Sequence, residues 1–358
     1  MNQRSYRDLI AGTDGGFATR LLRRLLRIVS VIYAVGVCLR NWCYDKRLLK
    51  SFKVDAEVIS VGNITAGGTG KTPLVIWLCR KLHRQGVRCA VLTRGYKVQD
   101  TDLSDEPAML AKACPNAEVI VDADRVRGAK HAIDIHSAQV LIMDDGFQHR
   151  RLRRTLDIVT IDATCPFGFE KLLPAGLLRE PLTAISRADA IVITRCDQAE
   201  ADEIENIERK IDEISHGVTV AKAVHKPHFA KMLKGESLTI DQLKERKIIA
   251  FCGIGNPDAF LKSLEDLGLN ILASKVYNDH HEYTEQDVSD LYEEGRKLEA
   301  DLVLSTQKDW VKMALLSQRY EDIAFAYLAV ELEFIDGVDR MEALLDWTTD
   351  MRQASRED

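Results

Sequence analysis

The sequence predicts an α/β protein, with a mainly parallel sheet carrying helices on both faces, a smaller C-terminal α/β domain and an N-terminal amphipathic helix. Three observations predict this. Short apolar runs such as 58–61, 140–143 and 190–193 alternate with helical stretches, and strands this apolar are buried on both faces. A glycine-rich turn over 65–72 lies between the first of these runs and a helix. Past about residue 222 the alternation begins again. A chain of 358 residues has room for two domains, and 46% apolar content is enough to fill their cores. We expect boundaries near 1–53, 54–222, 223–330 and 331–358, with the last segment returning to the first core.

The chain opens on a basic region. Residues 1–53 hold eleven Lys/Arg against three Asp/Glu, although the whole chain has a net charge of −6. Within residues 20–40, Leu21, Leu22, Leu25, Leu26, Ile28, Val29 and Ile32 recur at helical spacing between Arg20, Arg23, Arg24 and Arg27. The wholly apolar part, Ile28 to Leu39, would extend about 18 Å as a helix, short of the roughly 30 Å hydrocarbon core. A helix lying in the membrane interface fits better than a span, with Trp42 and Tyr44 at its end. Packing on the protein's own core is the other reading. Because the basic charge is confined to this apolar helix and the rest is acidic, nucleic acid is a poor partner. No obligate protein partner is evident. The eight cysteines are scattered without a C-x-x-C pair, as in a reducing compartment, and a structural zinc site is not expected.

Thr65-Ala66-Gly67-Gly68-Thr69-Gly70-Lys71-Thr72 then follows Val58-Ile59-Ser60-Val61 and precedes Pro73. Glycines let successive N–H groups turn inward as a nest for phosphate oxygens at a helix N-terminus. Lys71 would reach the β- and γ-phosphates and the Thr72 hydroxyl would join Mg²⁺, so the stretch reads as a phosphate loop of the P-loop NTPase type. Thr65 departs from the general pattern, which has glycine there. Arg94, after the apolar run 87–93, stands where ligands meet the carboxyl ends of parallel strands. Asp122 and Asp124-Arg125 follow the run 119–121 in the same manner. The run 140–143 ends in Asp144-Asp145-Gly146, and a carboxylate at such a tip can hold Mg²⁺ directly or through water. Two more strands follow at 157–162 and 190–194, and the second leads into Thr194-Arg195-Cys196-Asp197, loosely like a purine-reading tetrapeptide. Between them, residues 171–181 form an apolar loop that either lines a substrate groove or covers the core. Beyond 222, strands are expected at 247–252, 271–276 and, last, 302–306. Asp279-His280-His281 and Gln307-Lys308-Asp309 lie in the loops of this part.

Taken in order, these elements resemble the tetraacyldisaccharide 4′-kinase family, from the N-terminal helix to about residue 312. The resemblance rests on Thr65 to Thr72, Arg94-Gly95-Tyr96, Asp105-Glu106-Pro107, Asp124-Arg125 and Asp144-Asp145-Gly146-Phe147-Gln148-His149. Leu173-Pro174-Ala175-Gly176, Leu178-Arg179-Glu180, Asp279-His280-His281 and Thr306-Gln307-Lys308-Asp309 complete it. In that family Thr or Ser replaces the first loop glycine, whereas Gln307 stands where Glu is usual. The resemblance implies transfer of the γ-phosphoryl of ATP to the 4′-hydroxyl of a tetraacylated glucosamine disaccharide 1-phosphate, at the cytoplasmic face of the inner membrane. It implies Asp124 as proton acceptor with His280 orienting or tuning it, Lys71 and the loop amides holding the phosphates, Arg94 neutralising charge on the transferred group or holding the acceptor, and Thr72, Asp145 and Asp144 around Mg²⁺. The rival reading from the residues is a membrane-associated phosphate-loop GTPase or ATPase switch.

Overall fold

The computed structural model describes residues 3–12, 16–95, 105–233, 235–279, 281–320 and 322–346. The chain divides into two compact units, one of Gln3–Val224 together with the chain from Leu332, the other of His225–Glu331.

The first unit begins with two helices, α1 (Gln3–Ala11) and α2 (Phe17–Asp45). On α2, Leu21, Leu25, Ile28, Ile32, Val35 and Leu39 are spaced three or four apart, so they share one face, and each is at least 50% exposed. The opposite face is tied down. Ser30 donates to the carbonyl of Leu172 at 2.9 Å, Tyr33 to that of Arg179 at 2.8 Å, and Asn41 to the Glu180 carboxylate at 2.8 Å. Among the described residues no helix is long and apolar enough to cross a membrane.

Strands and helices then alternate as β1 (Glu57–Asn63), α3 (Lys71–Arg84), β2 (Cys89–Thr93), α4 (Asp105–Ala113), β3 (Glu118–Val121), α5 (Arg125–His136), β4 (Val140–Asp144), β5 (Leu156–Asp162), β6 (Ala190–Thr194), α6 (Ala201–Ile214) and β7 (Thr219–Met232). The strand order is β7-β6-β5-β1-β4-β2-β3 and the pairings are parallel. Side chains alternate between faces with period two. Ile59, Val61, Val91, Ile142 and Ile158 meet Leu74, Leu78 and Leu82 of α3 on one face. On the other, Val58, Leu92 and Met143 meet Val126, Ala129 and Ala132 of α5, and Val159, Ile161 and Ile193 meet Ile207 and Ile211 of α6. Both faces being covered is why these strands read as unbroken apolar runs. The path runs to one side of β1 through β4 and to the other through β5, so the carboxyl end of β1 lies at the switch point where α/β sheets bind ligands.

The second unit holds β8 (Ser237–Thr239), α7 (Ile240–Lys244), β9 (Lys247–Cys252), α8 (Pro257–Asp266), β10 (Asn270–Val276), α9 (Glu285–Lys297), β11 (Leu302–Thr306), α10 (Gln307–Ser317) and most of β12 (Ala324–Asp336). Its strand order is β10-β9-β11-β12-β7, with β8 antiparallel on the far half of β7. Ile249, Phe251 and Val303 pack on Leu291, Tyr292 and Trp310, while Ile248, Ala250 and Leu304 pack on Leu243, Phe260 and Leu264. The expectation that 302–306 is the last strand is corrected by β12. Its first half, 324–330, is an unbroken apolar run like the others, and only its second half mixes Leu332 and Phe334 with Glu331 and Glu333 in a half-buried alternation. The 14-residue strand β7 carries Lys222, His225, Lys226 and His228 within it, and so escaped an apolar-run criterion.

Candidate active site

The stretch after β1 has the geometry of a phosphate cradle. Gly67 and Gly70 take φ of 126° and 83°, in the region glycine favours, and Gly70 caps α3 so that the helix N-terminus opens toward the turn. Thr65 needs no such freedom. It is buried and bridges Leu178 in antiparallel fashion, and its Cγ2 stands 3.0 Å from where a Cβ on Gly168 would lie. The Ala66 N–H donates to the Leu177 carbonyl at 2.6 Å, so the 168–178 segment supports the loop from one side. From the other side Thr69 shares a hydrogen bond with Thr160 at 2.7 Å, Thr194 donates to the Thr69 carbonyl at 3.0 Å, and Arg195, ion-paired with Asp162, donates to the Gly68 carbonyl at 2.9 Å. The Thr194-Arg195 pair therefore braces the loop.

Lys71 opens α3 and lies 3.2 Å from Asp145 Oδ1, donating also to Asn63 Oδ1 at 3.2 Å. Arg179 clasps both oxygens of Asp145 at 3.0 and 2.9 Å. Burial alone would raise the Asp145 carboxyl, but the charges of Lys71 and Arg179 outweigh it and hold the group down at about 2. Asp145 has φ 52°, a turn conformation that aims its side chain off the tip of β4, and Asp144 is buried just before it. Thr72 is half-buried in the first turn of α3. Among the described residues no three His, Cys, Asp or Glu side chains form a metal cage. Two carboxylates and a hydroxyl beside a phosphate cradle are nevertheless what Mg²⁺ uses when phosphates and water complete its shell. The glycine conformations, Lys71 and this acidic tip together fit a Mg²⁺-bound nucleotide.

Arg94 is exposed at the carboxyl end of β2. Arg125, by contrast, is buried, donating to the Asp122 carbonyl at 2.6 Å. Burial pushes its guanidinium down while Asp144 and Asp145 pull it up. Asp124 sits at the start of α5. It is the N-cap of α5, accepting from the Val126 and Arg127 N–H groups at 3.0 and 3.4 Å, and its other oxygen accepts from Arg151 at 2.9 Å. Desolvation would raise its carboxyl, yet these donors prevail and hold it below the usual range. Asp122 is taken by Arg127 at 2.7 and 2.8 Å. His280 lies outside the described residues. In the second unit, Lys308 pairs with Asp279 at 3.1 Å, and buried Asp309 accepts from Tyr283 at 2.9 Å and from the Gly253 N–H at 3.0 Å. The Thr-Gln-Lys-Asp element thus holds Asp279 and Tyr283 through Lys308 and Asp309, and Gln307 has no part in those contacts.

A parallel sheet with a phosphate loop at its switch point, a lysine in that loop and an acidic strand tip beside it define a phosphate-loop nucleotide-binding protein. The model of the family described as tetraacyldisaccharide-1-P 4′-kinase matches residues 22–349, and the chain belongs to that family. Among its relatives is the tetraacyldisaccharide 4′-kinase of Halothermothrix orenii, 36% identical over 335 residues that cover 86% of this chain and 87% of that protein. The enzyme of the same name from Chlorobaculum parvum is 37% identical over 345 residues, covering 90% and 93%. Among solved structures, LpxK from Aquifex aeolicus in complex with ATP has a TM-score of 0.71 and 32% identity, covering 91% of this chain and 99% of that one.

Proposed function

We propose that the protein transfers the γ-phosphoryl of ATP to the 4′-hydroxyl of a tetraacylated glucosamine disaccharide 1-phosphate, a step of lipid A biosynthesis. The bond from the γ-phosphorus to the bridging oxygen breaks, a bond to the sugar oxygen forms, and ADP and the hydroxyl proton leave. The observation that carries this reading is Lys71, held between Asn63 and Asp145 at the mouth of the loop, in a chain of this family. Such transfer is mostly positioning and charge neutralisation. The loop amides and Lys71 would hold the β- and γ-phosphates. Asp145, Asp144 and Thr72 would hold Mg²⁺, which supplies charge neutralisation on the bridging and γ-oxygens. Arg94, exposed on the neighbouring strand, would meet either the transferred group or the acceptor. Asp124 is assigned to positioning α5, for its carboxylate is occupied by the helix and Arg151.

A lipid acceptor brings the enzyme to a membrane surface. The exposed apolar face of α2, with Arg20, Arg24 and Arg27 beside it, suits an interface where anionic headgroups meet acyl chains. The cytoplasmic leaflet of the inner membrane, where ATP is available, is the location this reading requires. The test is incubation with labelled ATP, Mg²⁺ and the disaccharide lipid in detergent micelles, with a bisphosphorylated lipid as the expected product. Absence of transfer by folded protein would overturn the reading. GTP hydrolysis without a lipid product would instead favour a nucleotide switch.

A further inference from the structure

The helix α1 lies before residue 22, where the family match begins, and it brings an arginine to the phosphate loop. Nη2 of Arg7 is 3.6 Å from the place a Cβ on Gly67 would occupy. Gly67 belongs to the run whose N–H groups face the β- and γ-phosphates in a loop of this type. The guanidinium therefore lies against the loop that leads into Lys71.

The helix is fixed in that position by contacts of its own. Leu9 and Ile10 are buried, and the Tyr6 hydroxyl donates to the Pro174 carbonyl at 2.7 Å. Pro174 belongs to the 168–178 segment, which is joined to the loop through Leu177 and Ala66 and through Gly168 against Thr65. The segment that supports the loop therefore also seats the helix carrying Arg7. The charge of Arg7 also reaches the Cys165 thiol, which burial pushes up.

We infer that Arg7 is an arginine finger supplied in cis, its guanidinium neutralising charge on the γ-phosphoryl group as it passes from ATP to the acceptor. Arginine suits this task because its planar fork bonds two phosphate oxygens at once and stays charged. The inference rests on the kinase reading, and its test separates the two. Wild type and Arg7→Ala are compared in lipid phosphorylation. Their affinities for ADP and for ADP with aluminium fluoride and Mg²⁺, which imitates the transferring group, are measured by calorimetry without the lipid. We expect kcat to fall by about 10²-fold or more, the lipid KM to stay within about threefold, and affinity for the fluoroaluminate complex to fall at least about tenfold while ADP affinity holds, because a finger acts on the transition state alone. A kcat within about threefold of wild type, or equal losses toward ADP and the fluoroaluminate complex, overturns the inference, since equal losses are what a merely structural role gives. Should Arg7→Ala melt early, Arg7→Met keeps the aliphatic stem for the same comparison. If wild type makes no lipid product the kinase reading falls, yet the fluoroaluminate arm still decides the role of Arg7.

Discussion

Lys71 holds one end of the loop and shares Asp145 with Arg179, so the two functions of its charge can be separated. Lys71→Ala should cut turnover by about 10²-fold or more, through lost phosphate neutralisation, while changing stability by about 1 kcal/mol or less because Arg179 still neutralises Asp145. Steady-state rates and urea unfolding measure the two effects. For Asp124, the helix-capping geometry predicts that Asp124→Asn keeps kcat within about threefold, since Asn caps as well as Asp, while Asp124→Ala costs about 1 kcal/mol of stability. A loss of kcat near 10³-fold in the Asn variant would make Asp124 the base after all. His149 gives a pH dependence. Burial, then the charges of Arg125, Arg154 and Arg151, lower its imidazolium to about 4 from 6.5. The unfolded chain therefore binds the proton first, so the contribution is complete above pH 6.5 and lost as pH falls toward 4. We expect about 2 kcal/mol of it, allowing for solvent screening of a partly exposed ring, and His149→Gln should flatten urea stability measured across that window. That Lys71 opens a helix after the glycine-rich turn and that Asp144 and Asp145 stand at a strand tip were legible in the sequence, because an apolar run precedes each. Asn63, Arg179 and Arg195 were not, since their work depends on which strands are neighbours. Arg195 reaches Gly68 because β5, followed by β6, lies beside β1.

Among the elements, β1 and the turn after β4 approach closely at Gly62, where a Cβ would lie 2.5 Å from the Phe147 Cβ and 2.6 Å from its backbone nitrogen. Gly62→Ala should therefore cost about 1–3 kcal/mol, the range for overpacking, read from the urea midpoint. The helix α2 gives a prediction of the opposite kind. Its outward leucines and isoleucines are exposed, so the double substitution Leu25→Glu and Ile32→Glu should leave the melting temperature within about 2 °C, while weakening sedimentation with anionic vesicles at least about tenfold. Unchanged vesicle binding would remove the membrane role of this face. The apolar period of residues 20–40 foretold the helix, but which of its faces would be exposed depends on the anchors Ser30, Tyr33 and Asn41. Those side chains are unremarkable in a sequence, and their acceptors lie some 140 residues on.

At the scale of the molecule, each unit has strands apolar on both faces and helices on each, so each has a core of its own. The chain leaves the first unit within β7 and returns within β12, and of these β7 is the strand whose mixed composition hid it from an apolar-run criterion. The phosphate loop, Lys71 and Asp145 all belong to the first unit, and nucleotide should stabilise that unit directly. With ATP and Mg²⁺ at a hundred times Kd, about 2.7 kcal/mol of added protection is expected in hydrogen exchange of β1, α3 and β4. One set of contacts also joins the outward-facing helix to the nucleotide site. Tyr33 of α2 donates to the Arg179 carbonyl at 2.8 Å, and the guanidinium of the same residue holds Asp145 at 2.9 Å. Residue 179 is therefore common to both, and binding equilibria that share a residue are subject to reciprocity. Whatever factor a lipid surface applies to nucleotide affinity through Tyr33, bound nucleotide must apply to the protein's partition onto that surface. On the proposed reading that α2 rests on a lipid surface, vesicle sedimentation with and without ATP measures that factor.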